Sequence, residues 1–313
     1  MKRRIVEWVK LPRGLCAMGL VLGVFVVSDA RAQAAPPASA PAAAPSKAPT
    51  AAKPAKKPAA QPVKLVVEPR AMELLKAMGD RLAAAKSMSF TATVGYEYPS
   101  RYGPPIVYTS RYDVTMQRPD KLKIVMPGDG PASEFYYDGK VMMAYAPVAN
   151  LVAVADAPPT IDDALKAAYV KAAIYYPFMD LLMADPYAAL TDGVKLAFYI
   201  GPSGVVGGVK TDMMVWANED VFLQIWIGTD DKLPRRVRAV YRTDPLQLRH
   251  EMELSNWKLD PVVAPEAFVS QKAQAAQRME FKHPAKGTPS GAKPLEKLVP
   301  SKPAPAKPAT KTQ

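Results

Sequence analysis

The sequence predicts an α+β fold in which a large antiparallel sheet dominates. Three observations carry this. One amphipathic helix opens the folded part, a long train of segments alternates with period two, and a helical stretch of about 30 residues interrupts that train in mid-chain.

The helix comes first. Pro69 suits a first helical position and Glu73 the early helix. Ala71, Leu75, Met78, Leu82 and Ala85 recur at spacings of three and four, which makes one face of a helix of about 17 residues apolar.

The period then changes to two. Phe90, Ala92, Val94, Tyr96 and Tyr98 face one way, and Thr91, Thr93 and Glu97 the other. Pro104-Pro105 break the chain. A second strand puts Ile106, Tyr108, Tyr112, Val114 and Met116 opposite Thr109, Arg111, Asp113, Thr115 and Gln117. Leu122, Ile124 and Met126 repeat the pattern. Glu134 to Tyr137 runs into Asp138-Gly139, a hairpin signal, and then Val141, Met143 and Tyr145. Leu151 to Val154 reads as one more strand.

Pro158-Pro159 end this block. Thr160 caps a helix with Asp162 and Asp163 in its first turn, at the positive end of the helix dipole. Leu165, Tyr169 and Ile174 form its apolar side; Phe178, Leu181 and Leu182 follow, and Asp185-Pro186 interrupt before Tyr187 to Leu190. The insertion spans 160–190. Strands resume with Val194, Leu196 and Phe198. A Gly207-Gly208 turn leads to Thr211, Met213 and Val215 on one face, and then Val221, Leu223, Ile225 and Ile227 alternate with Phe222, Gln224 and Trp226. After the turn at 228–232, Val237, Ala239 and Tyr241 alternate with Arg236, Arg238 and Arg242. Leu246, Leu248, His250, Met252 and Leu254 alternate with Arg249, Glu251 and Glu253. Pro265 to Phe268 closes the domain. The count is ten or eleven strands, mostly antiparallel because the connections are short.

The folded part, 65–282, is flanked by segments of another kind. Residues 33–64 and 283–313 are rich in Ala, Pro and Lys, with eight and seven prolines. Such compositions bury too little apolar surface to offset chain ordering, so both read as disordered, semi-rigid spacers. The formal charge of +12 lies wholly in the ends: residues 1–32 carry +4, 33–64 carry +5, 283–313 carry +5, and 65–282 carry −2. A basic groove on the folded domain is thereby excluded, and nucleic acid with it. The lysines of the arms suit at most weak contact with an anionic envelope surface.

Residues 1–32 have the order of a cleavable signal peptide. Lys2, Arg3, Arg4, Lys10 and Arg13 precede an uncharged apolar run from Leu15 to Val27, and Ala30-Arg31-Ala32 supply small residues before Gln33. The run has 13 residues, short of the roughly 20 a membrane span needs, so the mature form is expected to have no transmembrane span. The expected location is the periplasm. Cys16, the single cysteine, falls in the leader, so no disulfide or thiolate chemistry is expected of the mature chain.

Catalytic constellations are sparse. The two histidines are His250, on an inward face, and His283, at the start of the tail. Asp162-Asp163 and Asp230-Asp231 fit capping and turn chemistry rather than a metal site. Gly204 to Thr211 misses a phosphate loop because Val209 stands where the last glycine is required and a strand follows instead of a helix. Arg235, Arg236, Arg238 and Arg242 form a basic stripe whose simplest partners are Glu251 and Glu253 on the next strand. No enzyme activity, cofactor or metal is expected.

Several phrases occur in an informative order. Arg118-Pro119-Asp120-Lys121-Leu122 comes first, then Phe135-Tyr136-Tyr137-Asp138-Gly139-Lys140 with a loop ending Ala149-Asn150-Leu151-Val152. Asp185-Pro186-Tyr187 sits in the insertion. Leu223-Gln224-Ile225-Trp226-Ile227 is followed by Leu233-Pro234-Arg235-Arg236-Val237, and Ser255-Asn256-Trp257-Lys258-Leu259 runs into Pro265-Glu266-Ala267-Phe268. Over roughly 68–282 this resembles the periplasmic lipoprotein carrier superfamily, LolA/LolB-like, and within it the DUF2092 family of predicted periplasmic proteins. The resemblance implies an open, strongly curved antiparallel half-barrel of about 11 strands, with helices covering the concave face over an apolar cavity. It transfers no activity.

The candidate cavity lining is Tyr96, Tyr98, Tyr108, Tyr112, Tyr145, Met213, Ile225 and Leu248, and the candidate lid is Leu165, Tyr169, Phe178, Leu181 and Leu182. An ordinary core uses the same residue types; the resemblance is what brings a cavity into the reading. The function expected is non-enzymatic binding of an acyl chain, lipid or lipoprotein anchor. The alternative is an envelope protein-interaction or stress-sensing module on the same fold.

Overall fold

The computed structural model describes residues 66–128 and 130–283. The expectations for the leader, the spacer 33–64 and the tail beyond His283 lie outside these residues. One open, curved sheet of twelve strands organises the chain, with helices on both of its faces.

Helix α1 (Pro69–Ala84) begins at the predicted proline and buries Ala71, Leu75, Met78 and Leu82, the stripe read from the sequence. Strands β1 (Ser87–Tyr98) and β2 (Ile106–Gln117) follow as one long hairpin paired over its full length. Then come β3 (Lys121–Met126), β4 (Ser133–Tyr137), β5 (Val141–Ala146) and β6 (Leu151–Asp156). The Asp138-Gly139 turn joins β4 to β5: Gly139 has φ +90°, and the Asp138 carboxylate accepts from the amides of Lys140 and Val141.

The insertion holds three helices, α2 (Ile161–Ala172), α3 (Met179–Leu182) and α4 (Pro186–Thr191). Thr160 caps α2, its hydroxyl accepting from the Asp163 amide at 3.2 Å, and Asp185 caps α4 in the same way at 2.9 Å. The second block comprises β7 (Leu196–Ser203), β8 (Thr211–Ala217), β9 (Val221–Gly228), β10 (Pro234–Tyr241) and β11 (Arg249–Leu259). The chain does not close at Phe268. A short helix α5 (Gln271–Ala275) and a three-residue strand β12 (Gln277–Met279) follow. The expected count of about eleven strands was thus one short, because three exposed residues offer no alternation to read.

The order across the sheet is β12-β6-β5-β4-β3-β2-β1-β11-β10-β9-β8-β7. Every pairing is antiparallel except β12 with β6. Because β11 lies beside β1, the two blocks of strands join into one surface. Helices α1 to α4 pack on its concave face and form the main core with Met88, Phe90, Met116, Ile124, Phe135, Ile225 and Leu254. Arg118 ties these helices together. Its guanidinium donates to the Leu182 carbonyl at 3.0 Å and lies 3.5 Å from the Leu82 carbonyl, the ends of α3 and α1.

The convex face differs at its two ends. Over β4–β6, α5 covers a small second core of Tyr136, Met143, Tyr145 and Val152. Over β9–β11 the face is charged: Arg236 reaches Glu251 and Glu253, and Arg238 lies 3.8 Å from Glu251. These are the partners the arginine stripe predicted.

Two predicted cavity positions are off the concave face. Tyr145 lies under α5, and Met213 pairs with Trp226 on the convex side while its neighbour Met214 opposes Ile225 in the core. The physical reason is shared. In Val141–Ala146 and Thr211–Ala217 both parities are apolar, so alternation marks two faces without saying which one turns inward.

Candidate functional site

Register divides the concave face into rungs. One rung runs Ser110, Val94, Met252, Val237, Ile225, Met214, from β2 to β8. Ser110, Val94, Met252, Ile225 and Met214 are each 7% exposed or less. The next rung towards the β1–β2 turn runs Tyr108, Tyr96, His250, Ala239, Leu223, Trp216. Here burial gives way: Tyr108 is 39% exposed, and Tyr96, His250, Ala239 and Leu223 are half-buried. From β2 to β9 the boundary between filled core and open face lies between these two rungs, and at β8 Trp216, 4% exposed, continues the core.

The predicted lid and lining residues sort along this boundary. Leu165, Phe178, Leu181, Leu182 and Ile225 pack in the filled part. The space beneath the insertion is occupied there by side chains, because α1, α3 and α4 reach the sheet at that height. Tyr112, half-buried, pairs with Ala92 one rung deeper than Ser110, its ring edge-on to Tyr176 and Phe178 at 6.1 and 5.5 Å. Tyr96, Tyr98 and Tyr108 occupy the open part, and Leu248 lies at the end of the sheet, in the loop before β11. Tyr169 lies on the lid, 6.4 Å from Tyr175.

The open part is aromatic. Tyr96 stacks on Tyr108 with centroids 5.7 Å apart and on His250 at 6.5 Å; Tyr241 meets His250 edge-on at 5.2 Å. Burial pushes the His250 imidazole pKa down, so the ring is neutral at neutral pH. Tyr175 and Tyr176 lie in the segment between α2 and α3. Tyr176 stacks on Phe178 at 5.7 Å, and Tyr175, 53% exposed, lies close enough to Tyr241 of β10 to act on its ionisation. These two tyrosines bring lid and sheet together. Beyond the mouth, the β1–β2 turn and the loop before β11 expose Tyr98, Tyr102, Ile106, Val107 and Leu246.

Asp180 completes the surroundings. Its side chain is exposed, yet burial pushes its carboxyl up to about 6. The sequence places His250 on the inward face and Tyr241 opposite the arginine stripe without assigning either to the site, and it leaves Tyr175 and Tyr176 out. Adjacent tyrosines just before Pro177, where a helix must end, were the available signal. Among the described residues, no three of His, Cys, Asp and Glu gather as metal ligands, and no helix is long and apolar enough to cross a membrane.

The family model of DUF2092, described as predicted periplasmic protein, matches residues 71–282. The chain belongs to this family. That description agrees with the compartment the N-terminal sequence predicts, and the match runs from α1 through β12. No curated protein matches the chain. Among solved structures, the Mycobacterium tuberculosis lipoprotein LppX is similar over 63% of this chain and 99% of its own, with 14% identity and a TM-score of 0.39. The Pseudomonas aeruginosa MucA/MucB complex matches over 65% of this chain and 62% of that one, with 14% identity and a TM-score of 0.38. A LolA superfamily protein from Nitrosomonas europaea matches over 64% and 98%, with 9% identity and a TM-score of 0.30. This DUF2092 chain therefore spans less than two thirds of the chain it matches in the MucA/MucB complex.

Proposed function

We propose that this DUF2092 protein is a non-enzymatic periplasmic binding protein that holds the acyl chain of a lipid or lipoprotein anchor. The observation that supports this reading is the open aromatic rung of Tyr108, Tyr96 and His250, joined by Tyr241, on a concave face that is otherwise filled. A folded chain gains by burying such rings, so leaving them reachable costs stability unless a ligand covers them. An acyl chain laid along the rung gains ~0.8 kcal/mol for each CH2 removed from water and needs no specific polar partner. The exposed Tyr102, Ile106 and Leu246 around the mouth give the chain an apolar approach. Movement of Tyr175 away from Tyr241 would admit or release it.

Native mass spectrometry of gently purified protein, with extraction and identification of lipids, tests the reading. The expected result is a bound mass that extracts as lipid and is lost in Tyr96→Asp, which places a charge on the open rung. Protein free of lipid that also takes up no added acyl probe would overturn it.

A further inference from the structure

The β1–β2 hairpin outreaches the sheet around it. Strand β2 pairs with β1 along its whole length, but β3 pairs with it only from Asp113 to Gln117. The outer side of 106–112 is therefore an open strand edge. Among the described residues, no other strand pairs with it and no loop hydrogen-bonds to its backbone. Ile106, Val107 and Tyr108 are 46%, 63% and 39% exposed, and Thr109 is exposed beside them. Ser110 is buried, a small side chain between Tyr108 and Tyr112 on the same face. The one charge in the segment, Arg111, is held by Asp113 at 3.0 Å. A straight apolar edge with no bulge and no proline inside it is a template for another strand.

The ends of the segment limit what can pair there. Pro105 has no N–H to give to a ladder, and β3 occupies the edge from Asp113 onwards. Two copies related by a two-fold axis perpendicular to the sheet would set their β2 edges antiparallel, with one residue facing itself on the axis. A centre at Thr109 uses all of 106–112. Ile106 then faces Tyr112 of the second copy, Val107 faces Arg111, Tyr108 faces Ser110, and Thr109 faces Thr109. No like charges are opposed, and threonine pairs well with itself across strands. A centre at Arg111 would oppose two guanidiniums and run into β3, and one at Val107 would bring Pro105 into the ladder. A Cβ added to Gly103, in the turn before β2, or to Gly128 or Gly130, in the loop after β3, would meet nothing within 4 Å, so the flanking turns have open space around them at these points. We propose that this DUF2092 protein forms a two-fold homodimer in which the β2 edges pair antiparallel over 106–112 about Thr109. The pairing requires no ligand. It puts both concave faces on one side of a joined sheet, so that the open rungs of the two copies adjoin at Tyr108.

Sedimentation velocity over a range of concentrations tests the pairing, with the wild-type mature protein, Thr109→Lys, Thr109→Glu and an equimolar mixture of the two variants. Wild type is expected to show a monomer–dimer equilibrium. Each variant alone puts like charges face to face on the axis and is expected to raise the dimer dissociation constant roughly tenfold or more. The mixture sets lysine opposite glutamate and is expected to restore the dimer, which also shows that both variants are folded. A wild type that stays monomeric throughout would overturn the proposal. So would a dimer that withstands both charges, which would put the interface elsewhere, or variants that stay monomeric when mixed as well as alone.

Discussion

Trp257 stacks on Phe90 with ring centroids 4.4 Å apart and 28° between the planes. Strict alternation from His250, Met252 and Leu254 would have turned residue 256 inward and Trp257 out. A bulge intervenes: the β1–β11 register shifts between Ser89 and Thr91, and Asn256 takes a left-handed φ of 56°. The extra residue returns Trp257 to the concave side. There its indole N–H donates to the Pro234 carbonyl at 3.0 Å, and the Asn256 amide donates to the Thr91 hydroxyl at 3.3 Å.

Trp257→Ala is expected to cost about 3 kcal/mol, the low end for a large aromatic because Trp257 is half-buried. Trp257→Phe keeps the stack and loses the hydrogen bond, at about 1 kcal/mol. Asn256→Val forces a β-branched residue into the left-handed region and costs about 1–2 kcal/mol, whereas Asn256→Gly is close to neutral. Urea unfolding checks the order; a harmless Asn256→Val would mean that the bulge is not fixed by that residue.

Gly79 lets α1 approach α4. A Cβ there would stand 2.7 Å from the Tyr187 Cβ and 2.9 Å from its backbone nitrogen. Helix propensity favours Gly79→Ala by about 1 kcal/mol, but two backbones in contact cannot yield as a flexible side-chain end can. The expected result is a lower thermal midpoint for Gly79→Ala. A raised midpoint would show that the helices separate at little cost.

Arg118 serves the carbonyls at the ends of α1 and α3, with Asp162 close enough to oppose the effect of burial on its charge. Arg118→Lys presents a single ammonium where a planar fork is required, leaving the Leu182 carbonyl short of its donor. A loss of about 1–3 kcal/mol is expected. Faster amide exchange in α3 than in β1 would locate the loss at the helix junction.

Asp180 gives a pH signature of definite sign. Its folded pKa lies above the usual Asp value, so between 3.8 and about 6 the folded state holds the proton more tightly than the unfolded chain does. Its contribution to stability is therefore greatest in acid, declines as pH rises through that window and stays low above it. Asp180→Asn removes the burdened charge and is expected to unfold at a higher temperature than wild type at pH 8, with the difference vanishing near pH 4. Thermal melts across that range check it; the opposite trend would mean that a partner stabilises the ionised carboxylate.

Legibility followed the number of independent signals at each position. Helix α1 carried a proline start and a five-residue stripe, the β4–β5 hairpin carried Asp138-Gly139, and α2 carried the Thr160 cap; each formed where the sequence placed it. Tyr145 and Met213 had alternation alone within strands apolar on both sides, and the opposite face received them. Strand β12 had no local signal, since a parallel partner 126 residues earlier, Leu151 for Gln277, defines it.

By itself the sequence determined helices α1 and α2, the strands β1 to β11 and which compartment receives the chain, because propensity, period and charge are local properties. The tertiary structure decided where the concave face is filled and where it stays open. Phe90 and Tyr96 belong to one strand and one face, yet Phe90 is buried under Phe178 and Trp257 while Tyr96 looks into the mouth. The difference lies in how far the side chains of α1–α4 and the bulged Trp257 reach along the sheet, and reach is a property of packed elements that no single segment of the chain encodes.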